Sequence, residues 1–369
     1  MNSCSTNHII LIGGDALAIE IYNLHYSFRE IDGYNKAFNF VLSARELGKT
    51  SRFWYLKVYK PWKADKRPWI YMVRTTVEIT EALINSIADT IINKFSDDNI
   101  TLEYNKGSFK DGIVDVRIDG VVFIRIVSLS IPLRRIKLAV LAHIKGAFMD
   151  EYIINPRNGE KYQPSEAFKI KEAYTTWRRE ADGIFKMYFL ANPYSLYNPL
   201  FVDWNTPVNE LRKGEFYVGE HYVIHWAIMK PELRAMLLEI NPLYEFDEDY
   251  KGYALEGSAI NDANIRLGKQ PQGYQLRFVF RCNNKYIGIF YNTNYELGSD
   301  RYYVKEVDTV SAKRVVYCYD FAEMVDRCQL LAFDDRNRLQ AFKDAIRKRQ
   351  VVFEDVNVYY MIEEVYKVI

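Results

Sequence analysis

The stretch "FNFVLSARELGKTS", residues 38–51, constrains the fold more than any other part of this sequence. It begins with an apolar run, continues with the six residues Ser43–Gly48, and then enters a segment compatible with a helix. Lys49 and Thr50 come next, so the stretch fits the phosphate-binding pattern G-x-x-x-x-G-K-[ST], except that Ser43 replaces the first glycine. The sequence therefore predicts a strand, a phosphate-binding loop and a helix.

A loop of this kind binds phosphate through consecutive backbone N–H groups at the start of a helix. Lys49 is expected to reach the β- and γ-phosphate oxygens of ATP, and the Thr50 hydroxyl to bind Mg²⁺. The first glycine commonly adopts a positive φ, so Ser43 predicts a reshaped loop entrance. A helix start that spells G-K-T by chance is the alternative. The predicted nucleotide-binding residues of the loop are Ser43, Ala44, Arg45, Glu46, Leu47, Gly48, Lys49, Thr50 and Ser51.

The second half of such a site is a strand that ends in acids. "GAFMDEYI" places Asp150 and Glu151 directly after an apolar run. A magnesium ion beside a triphosphate needs a carboxylate, and hydrolysis needs a base that orients water. We expect Asp150 to lie on the metal side, with Thr50, and Glu151 to activate the water. A solvated acidic pair at the end of a strand is the alternative.

Two further catalytic candidates flank the next apolar strand, "IFKMYFLANP". Asn192, at its end, is placed to hydrogen-bond the γ-phosphate or the attacking water, and a turn asparagine before proline is the equal alternative. Arg178 and Arg179 end the preceding helix, from which an arginine can reach the nucleotide of a neighbouring subunit and stabilise transferred charge. A solvated helix end explains these arginines equally well.

Two basic clusters occur outside these motifs. Arg134, Arg135 and Lys137 precede the acid strand and could contact a phosphate backbone or a neighbour's nucleotide. Near the C-terminus a predicted helix carries a second cluster, for which a solvated face is the first interpretation and a nucleic-acid or partner contact the second. Its members are Arg336, Arg338, Lys343, Arg347, Lys348 and Arg349.

The order of elements in the first half is that of an α/β sheet. After the first strand, loop and helix, which we expect Pro61 to close, "PWIYMVRTT" predicts a second strand and residues 79–95 an amphipathic helix. Asp119-Gly120 favours a two-residue hairpin turn. A further helix begins near Pro164, and its predicted apolar side holds Phe168, Ala173, Tyr174 and Trp177. The fold class is therefore an α/β sheet with helices on both faces.

The length of 369 residues favours two domains with a small connecting module. Residues 1–205 are predicted to form the P-loop ATPase domain. Residues 206–250, with the short helix "KPELRAMLLEINP", read as a linker or lid. Residues 251–369 contain aromatic and β-branched strands separated by Asn-rich turns, so we expect a smaller strand-rich domain there.

Charge and cysteine content limit the partners and the compartment. A net charge of +1 means that any grip on nucleic acid must come from local clusters. Cys4, Cys282, Cys318 and Cys328 form no C-x-x-C pair, which favours reduced thiols in a cytosolic setting. The start "IILIGGDALAIEI" is too short to span a bilayer and lacks a basic leader, so we expect no membrane contact and a helix or strand that packs on the main domain.

This pattern of residues resembles that of the DNA-packaging (encapsidation) ATPases of picovirus-type podoviruses. Those ATPases belong to the FtsK/HerA group of P-loop NTPases. The resemblance covers most of the chain and is more specific in the ATPase part than in the C-terminal part. It runs through "FNFVLSARELGKTS", "WIYMVRTT", "GAFMDEYI", "FLANPYSLYNPLF" and, more loosely, "FVFRCNNKYIGIFYN".

The resemblance implies an ATP-hydrolysing ring motor, a homopentamer at the portal vertex of a preformed procapsid, which drives double-stranded DNA inward. The motor would stay in the host cell cytoplasm and join the portal, or connector, transiently; a structural RNA tether is left open. The sheet would be of the ASCE type, with Lys49 and Thr50 as Walker A residues and Asp150 and Glu151 as the Walker B pair. Arg178 matches the arginine that acts in trans, and Lys137 and Arg74 match two further basic residues loosely.

The C-terminal domain of that family looks like an RNase-H-type nuclease fold without its active site. Here "RFVF" and "YIGIFYN" carry no aspartate where two-metal chemistry would need one, so we expect no DNA cleavage. Two alternatives stay open. One is a large terminase with an active nuclease, and the other is a non-enzymatic portal-vertex or nucleic-acid-binding protein with a relic P-loop.

Overall fold

A computed structural model describes the chain over residues 24–92, 95–96, 98–155, 160–196, 198–246, 251–252, 254–255, 266–282, 285–296, 299–318, 324, 328–330, 333–348 and 350–368. These residues fall into two compact units, one within Met1–Pro199 and Pro207–Ile260 and one within Leu200–Thr206 and Asn261–Ile369. Each unit is built on one sheet. The predicted N-terminal helix or strand lies outside the described residues.

The first unit has a nine-stranded sheet with the order β3-β4-β5-β2-β6-β7-β1-β9-β8. The neighbouring strands from β5 to β9 in this order are parallel, whereas β3, β4 and β8 pair in antiparallel fashion. The strands are β1 (Phe38–Ser43), β2 (Trp69–Val73), β3 (Glu103–Tyr104), β4 (Ile113–Ile118), β5 (Val121–Ser128), β6 (Gly146–Asp150), β7 (Lys186–Ala191), β8 (Phe216–Val218) and β9 (Tyr222–Ala227). Because parallel strands end at the same edge, the loops after β1, β6 and β7 meet there.

Helices cover both faces of this sheet. They are α1 (Arg29–Gly33), α2 (Lys49–Arg52, Phe53–Tyr59 and Lys60–Asp65), α3 (Glu81–Ser86 and Ile87–Ile92), α4 (Leu133–Leu138), α5 (Glu166–Trp177), α7 (Pro231–Ile240) and α8 (Leu243–Phe246). The short helix α6 (Pro199–Asp203) follows β7 in the chain, and all but its first residue belongs to the second unit. Val41 of β1 packs with α2, α3 and α7, while Phe38 contacts Tyr174 of α5. Successive side chains of a strand point to opposite faces, so α5 covers the face opposite α2. The α/β sheet of the ASCE type predicted from the sequence is confirmed.

The helix that follows the loop is longer than the sequence predicts. α2 is α-helical over Lys49–Arg52, π-helical over Phe53–Tyr59 and again α-helical over Lys60–Asp65. The predicted end at Pro61 is wrong, because the helix continues through Pro61, next to the point where π-helical hydrogen bonding changes to α-helical bonding. The π-helical part widens the turn and presents two aromatic side chains to the sheet.

Aromatic packing fixes α2 against the acid strand. The rings of Phe53 and Trp54 both lie 4.8 Å from the ring of Phe148 in β6, and Trp54 lies 5.2 Å from Tyr71 in β2. Phe53, Trp54 and Phe148 are buried. Each edge-to-face or tilted contact of this kind stabilises the fold by about 0.5–1.5 kcal/mol beyond the contribution of the apolar area it buries. The start of α2 is thereby held at a fixed distance from the end of β6.

The predicted hairpin turn is confirmed in this unit, whereas the predicted apolar side of α5 is only partly buried. Asp119 and Gly120 both have positive φ, 51° and 75°, and join β4 to β5, so the predicted hairpin is confirmed. In α5, Ala173 and Trp177 are buried as predicted, but Phe168 is 51% exposed. The buried residues of α5 follow one helical stripe, and Phe168 lies about 100° away from its neighbour Ala167 on that stripe.

The segment predicted as a linker or lid, residues 206–250, is part of the first sheet. β9 pairs with β1 in parallel from Phe38↔Tyr222 to Ser43↔Ala227, and β8 forms the sheet edge beyond it. The predicted helix in this segment is present as α7. Parallel pairing between strands about 180 residues apart leaves no local sequence signal, so the predicted boundary at residue 205 does not follow the compact units.

The second unit has a six-stranded sheet with the order β14-β13-β10-β11-β12-β15. β10, β11 and β12 form an antiparallel meander, and β13, β14 and β15 join by parallel pairing. The elements are β10 (Tyr274–Cys282), β11 (Lys285–Asn292), β12 (Tyr302–Glu306), β13 (Val316–Cys318), β14 (Cys328–Leu330), α9 (Phe333–Arg347), β15 (Val351–Phe353) and α10 (Val356–Val368). An antiparallel meander extended by two parallel strands beside its first strand is the RNase-H-like arrangement that the family resemblance implies.

The C-terminal basic cluster is divided between described and undescribed side chains. α9 forms the predicted helix, with Leu339, Phe342 and Ala345 buried against the sheet. Arg347 is exposed and lies 3.8 Å from Asp344, as expected for a solvated face. The side chains of Arg336, Arg338 and Arg349 lie outside the described residues. Cys282, Cys318 and Cys328 are buried free thiols.

Candidate nucleotide-binding site

The turn into α2 requires a glycine. Gly48 precedes the first residue of α2 and has φ 70° and ψ 16°, the left-handed conformation. A Cβ atom at this position would lie 2.7 Å from Cγ of His25, which is too close for any side chain. The backbone N–H groups at the start of α2 have no acceptor within the helix, so they face the space in front of Gly48. This is the arrangement that binds phosphate at a helix N-terminus.

Ser43 fits the loop without strain. It is the last residue of β1, fully buried, and its hydroxyl donates to the carbonyl oxygen of Ala44 at 3.0 Å. Ser43 is absent from the residues with positive φ in the described part of the chain. The backbone here therefore does not need a glycine, and the reshaped entrance expected from the substitution has no counterpart in the backbone conformation. Within the loop, Ala44 and Leu47 are buried and Arg45 is exposed.

Lys49 connects the loop to the end of β7. Its Nζ atom donates to Oδ1 of Asn192 at 2.7 Å, and both residues are buried. Burial lowers the pKa of Lys49 to about 8, against the opposing effect of the carboxylates of Asp150 and Glu151. The two residues predicted to contact the γ-phosphate, Lys49 and Asn192, thus lie side by side.

The two acids follow β6 at the same edge. Asp150 accepts a hydrogen bond from the Thr50 hydroxyl, and burial raises the pKa of its carboxyl group. Its Oδ1 also accepts the backbone N–H of Glu151 at 3.0 Å. Glu151 is open to solvent, yet partial desolvation and the neighbouring charge of Asp150 raise its pKa. The Walker A and Walker B candidates are therefore joined directly, through Thr50 and Asp150.

Glu151 has a left-handed backbone, with φ 53°. A non-glycine residue in this conformation costs of order 1 kcal/mol and persists only where the surroundings hold it. Arg74, which follows β2, supplies part of that support. Its Nη1 atom donates to the carbonyl oxygen of Glu151 at 3.3 Å, and its Nη2 atom donates to that of Tyr152 at 2.8 Å.

Arg74 is also paired with a buried carboxylate. Its Nε atom lies 3.0 Å from Oε2 of Glu166, and its Nη2 atom lies 3.0 Å from Oε1 of the same side chain. The two side chains are 8% and 4% exposed, so the pair is almost completely removed from water. Glu166 is the first residue of α5, and sequence reasoning did not single it out. One charged residue at the start of an otherwise apolar helical stripe is the signal that could have identified it.

The arginine predicted to act in trans is far from the site of its own chain. Arg178 follows α5, which runs from the carboxyl end of β6 back to the amino end of β7. β7 is six residues long, about 20 Å at 3.3 Å per residue. Arg178 and Arg179 are both exposed, and Arg178 lies over the ring of Tyr174. Lys137, in contrast, forms an ion pair with Glu172 at 2.8 Å.

Few carboxylates are available for a metal ion. Among the described residues no group of three or more His, Cys, Asp and Glu side chains is arranged to hold one. The predicted magnesium site asks for less, because one carboxylate and one hydroxyl suffice when phosphate oxygens and water complete the shell. Asp150 and Thr50 are that pair.

No helix in the described ranges is both long and apolar enough to cross a bilayer.

Comparison with solved structures shows that this chain has a known fold. The chain is similar to the bacteriophage Phi-29 viral genome packaging motor assembly, with a TM-score of 0.63 and 19% identity over 93% of this chain and 99% of that chain. It is similar also to the Phi-28 gp11 DNA packaging motor, with a TM-score of 0.61 and 14% identity over 94% and 98% of the two chains. The chain has the fold of these motors. Neither a family model nor a curated protein sequence matches it.

Proposed function

We propose that this protein is an ATP-hydrolysing ring motor that translocates double-stranded viral DNA into a preformed procapsid. One observation carries the proposal: five predicted site residues lie together at the carboxyl edge of parallel strands, beside a helix N-terminus. They are Lys49, Thr50, Asp150, Glu151 and Asn192. The fold shared with two packaging motors supports the same conclusion. The proposed cofactors are ATP and Mg²⁺.

The nucleotide would be held by the loop from Ser43 to Ser51. Gly48 makes the left-handed turn into α2 and lies against the side chain of His25, where no other residue type fits. Mg²⁺ would be held by Thr50 and Asp150, and it would supply neutralising charge for the phosphate oxygens. Lys49 would turn from Asn192 to the β- and γ-phosphate oxygens, which accept its three N–H bonds.

Glu151 is the proposed base that orients the attacking water. Its raised pKa makes it a better proton acceptor than an ordinary glutamate, as expected of a general base. Arg74 holds the peptide of Glu151 in place, which limits where the carboxylate can point. Asn192, released by Lys49, would report the γ-phosphate at the end of β7.

Arg178 is proposed to act on the site of a neighbouring copy. Its place at the amino end of β7, opposite the loop, means that it cannot serve its own nucleotide. We therefore propose a closed pentameric ring, in which Arg178, at the end of α5, reaches the next subunit's site. Arg179 and Lys137 are the alternatives, and the ion pair of Lys137 with Glu172 makes Lys137 the weaker of them.

The remaining proposals concern partners and domains. We propose double-stranded DNA and the procapsid portal as partners, and leave a structural RNA tether open. The motor would stay in the host cell cytoplasm and then join the portal vertex. The ATPase domain is proposed to include β8, β9 and α7, and the C-terminal domain to begin after residue 260. The second unit has the RNase-H-like strand order. We propose that it does not cut DNA, because "RFVF" and "YIGIFYN" carry no aspartate where two-metal chemistry would need one.

Two variants separate nucleotide binding from chemistry. Lys49→Ala should abolish both ATP binding and turnover, whereas Glu151→Gln should bind ATP and lose turnover by about 10²–10⁴-fold. Calorimetric titration with a slowly hydrolysed ATP analogue and phosphate release with DNA and procapsids measure the two steps. Lys285→Ala removes a lysine from a surface ion pair in the second unit and serves as the matched control. Retained turnover in Lys49→Ala would contradict the proposal.

A further inference from the structure

The outer side of the phosphate loop is held by residues that belong to no nucleotide-binding motif. The backbone N–H of Arg45 donates to the carbonyl oxygen of Ala254 at 3.0 Å, and the carbonyl oxygen of Leu47 accepts the N–H of Tyr26 at 2.9 Å. Between them, Oε1 of Glu46 accepts the hydroxyl of Tyr244 at 2.6 Å. Three successive loop residues are thus tied to the rest of the first unit.

Tyr244 is built into the core rather than into the surface. It is 1% exposed and packs in the same apolar cluster as Ala254, Leu255 and Leu47. It lies in α8, whose first residue, Leu243, donates its N–H to Oδ1 of Asn241 at 3.1 Å. The ring has no freedom to follow Glu46, so the hydrogen bond fixes Glu46 and not the reverse.

The chemistry of this bond makes it a strong restraint. A hydroxyl that donates to a carboxylate at 2.6 Å forms a short, charge-assisted hydrogen bond, roughly twice as strong as a neutral one. Because the loop is fixed on its outer side at Arg45, Glu46 and Leu47, the N–H groups of Gly48 and the first turn of α2 keep their direction. A loop that is already ordered gives up less entropy when a ligand binds.

We propose that Tyr244 and Glu46 are positioning residues for ATP binding, which act by holding the phosphate loop in its binding conformation. The inference deepens the proposed function and rests on it. Neither side chain touches the nucleotide in this proposal. Its consequence is a selective one: loss of the bond should weaken ATP affinity while the catalytic groups Glu151 and Asn192, on other strands, continue to work.

Deleting one hydroxyl tests the proposal. Tyr244→Phe keeps the ring in the core and should raise the Kd for a slowly hydrolysed ATP analogue, and the KM for ATP, by about tenfold. The kcat at saturating ATP should stay within about twofold, since interactions lost equally from ground and transition state change KM alone. Glu46→Ala should match Tyr244→Phe, and Glu46→Gln, which keeps an acceptor oxygen, should recover most of the affinity.

The matched control is a second hydroxyl-carboxylate bond in the same unit. Tyr59, the buried last residue of the π-helical part of α2, donates to Oδ2 of Asp98 at 2.7 Å, so Tyr59→Phe deletes the same chemistry away from the loop. Its Kd for the analogue should equal that of the wild type. The double variant with Tyr244→Phe and Glu46→Ala should bind no more weakly than Glu46→Ala alone.

The possible outcomes distinguish a failure of the proposed ATPase function from a failure of the positioning role alone. If wild-type protein fails to bind the analogue, the proposed function is wrong and this inference falls with it. If wild-type protein binds and Tyr244→Phe binds equally well, only the positioning role is overturned. Additive effects of the two single variants would also overturn it, because residues that act through one bond cannot weaken binding independently.

Discussion

Helices accompany both sheets of this protein, but the predicted nucleotide-site residues follow strands of the first. In the first sheet, β1, β6 and β7 are parallel, so the residues that follow them meet at one edge and are joined through Lys49, Thr50, Asp150 and Asn192. In the second sheet only β11 is reversed, so the carboxyl ends of β10, β12, β13, β14 and β15 also share one edge. Among the described residues, however, no group of three or more His, Cys, Asp and Glu side chains is arranged there to hold a metal ion. A shared edge is therefore not sufficient for a site, because the residues that follow the strands determine what chemistry can assemble.

The same contrast is present in the ion pairs of the two sheets. Arg74 and Glu166 in the first unit are 8% and 4% exposed, and the arginine also binds two backbone carbonyl oxygens behind β6. Lys285 and Glu306 in the second unit are 36% and 37% exposed, with a distance of 2.8 Å. A buried pair leaves an uncompensated charge when one partner is removed, whereas an exposed pair contributes at most about 1 kcal/mol.

The largest expected effect concerns the arginine at the opposite end of the parallel strands. Arg178→Ala should lower kcat by about 10³–10⁵-fold with little change in ATP affinity, because a charge supplied in trans acts on the transition state. Mixing Arg178→Ala with Lys49→Ala subunits should restore part of the activity, since some interfaces then pair an intact loop with an intact arginine. Steady-state ATPase assays of the mixtures measure this. A loss without any restoration would place Arg178 in a role within its own subunit.

The buried ion pair provides the next effect in size. Glu166→Gln leaves Arg74 buried without its counter-charge and should lower the free energy of unfolding by about 3–5 kcal/mol, measured by denaturant titration. Replacing both residues by leucine should recover much of the stability. The double variant should nevertheless hydrolyse ATP more slowly than the wild type, because the carbonyl oxygen of Glu151 has lost its hydrogen-bond donor, Arg74. Full activity would show that Arg74 does not position Glu151.

A smaller effect depends on pH. Burial lowers the pKa of Lys49 from 10.5 to about 8 in the nucleotide-free protein, so above pH 8 ATP must bind together with a proton. The Kd for ATP should therefore rise by up to about tenfold per pH unit above that value. The same group makes folding more favourable as pH rises from 8 toward 10.5, since the unfolded chain still carries the proton there. Lys49→Arg keeps its charge, and a pH dependence that survives in this variant would contradict the assignment.

The smallest expected effect completes the comparison. Glu306→Gln breaks the exposed ion pair with Lys285 and should change the free energy of unfolding by no more than about 1 kcal/mol, with ATPase activity unchanged. Parallel denaturant titrations of Glu306→Gln and Glu166→Gln compare the two units directly. Equal losses in the two variants would show that burial does not distinguish these pairs.

The parts of the site that local sequence specifies were predictable. The strand, the turn at Gly48 and the helix after it depend on neighbours in the chain, and the acids after β6 follow an apolar run that reads as a strand. The hairpin at Asp119-Gly120 depends on two backbone conformations that this dipeptide favours. These features needed no knowledge of the remaining chain.

The features that sequence reasoning missed depend on contacts between distant segments. β9 joins the sheet by pairing with β1, and Tyr244 reaches Glu46 from almost 200 residues away. Arg74 and Glu166 also pair across distant segments of the chain, 92 residues apart. Each residue alone looks like an ordinary charge near the end of a strand or helix. The continuation of α2 beyond Pro61 requires a π-helical segment, for which the sequence carries no recognised pattern.

The left-handed backbone of Glu151 has a consequence for how this chain can vary. Glycine or asparagine would occupy that conformation with less torsional strain, so exchanging the proposed base for either should make the folded protein somewhat harder to melt. Thermal robustness and turnover would then move in opposite directions at a single codon. A selection for heat-resistant mutants would favour changes at the position that the proposed ATPase activity requires.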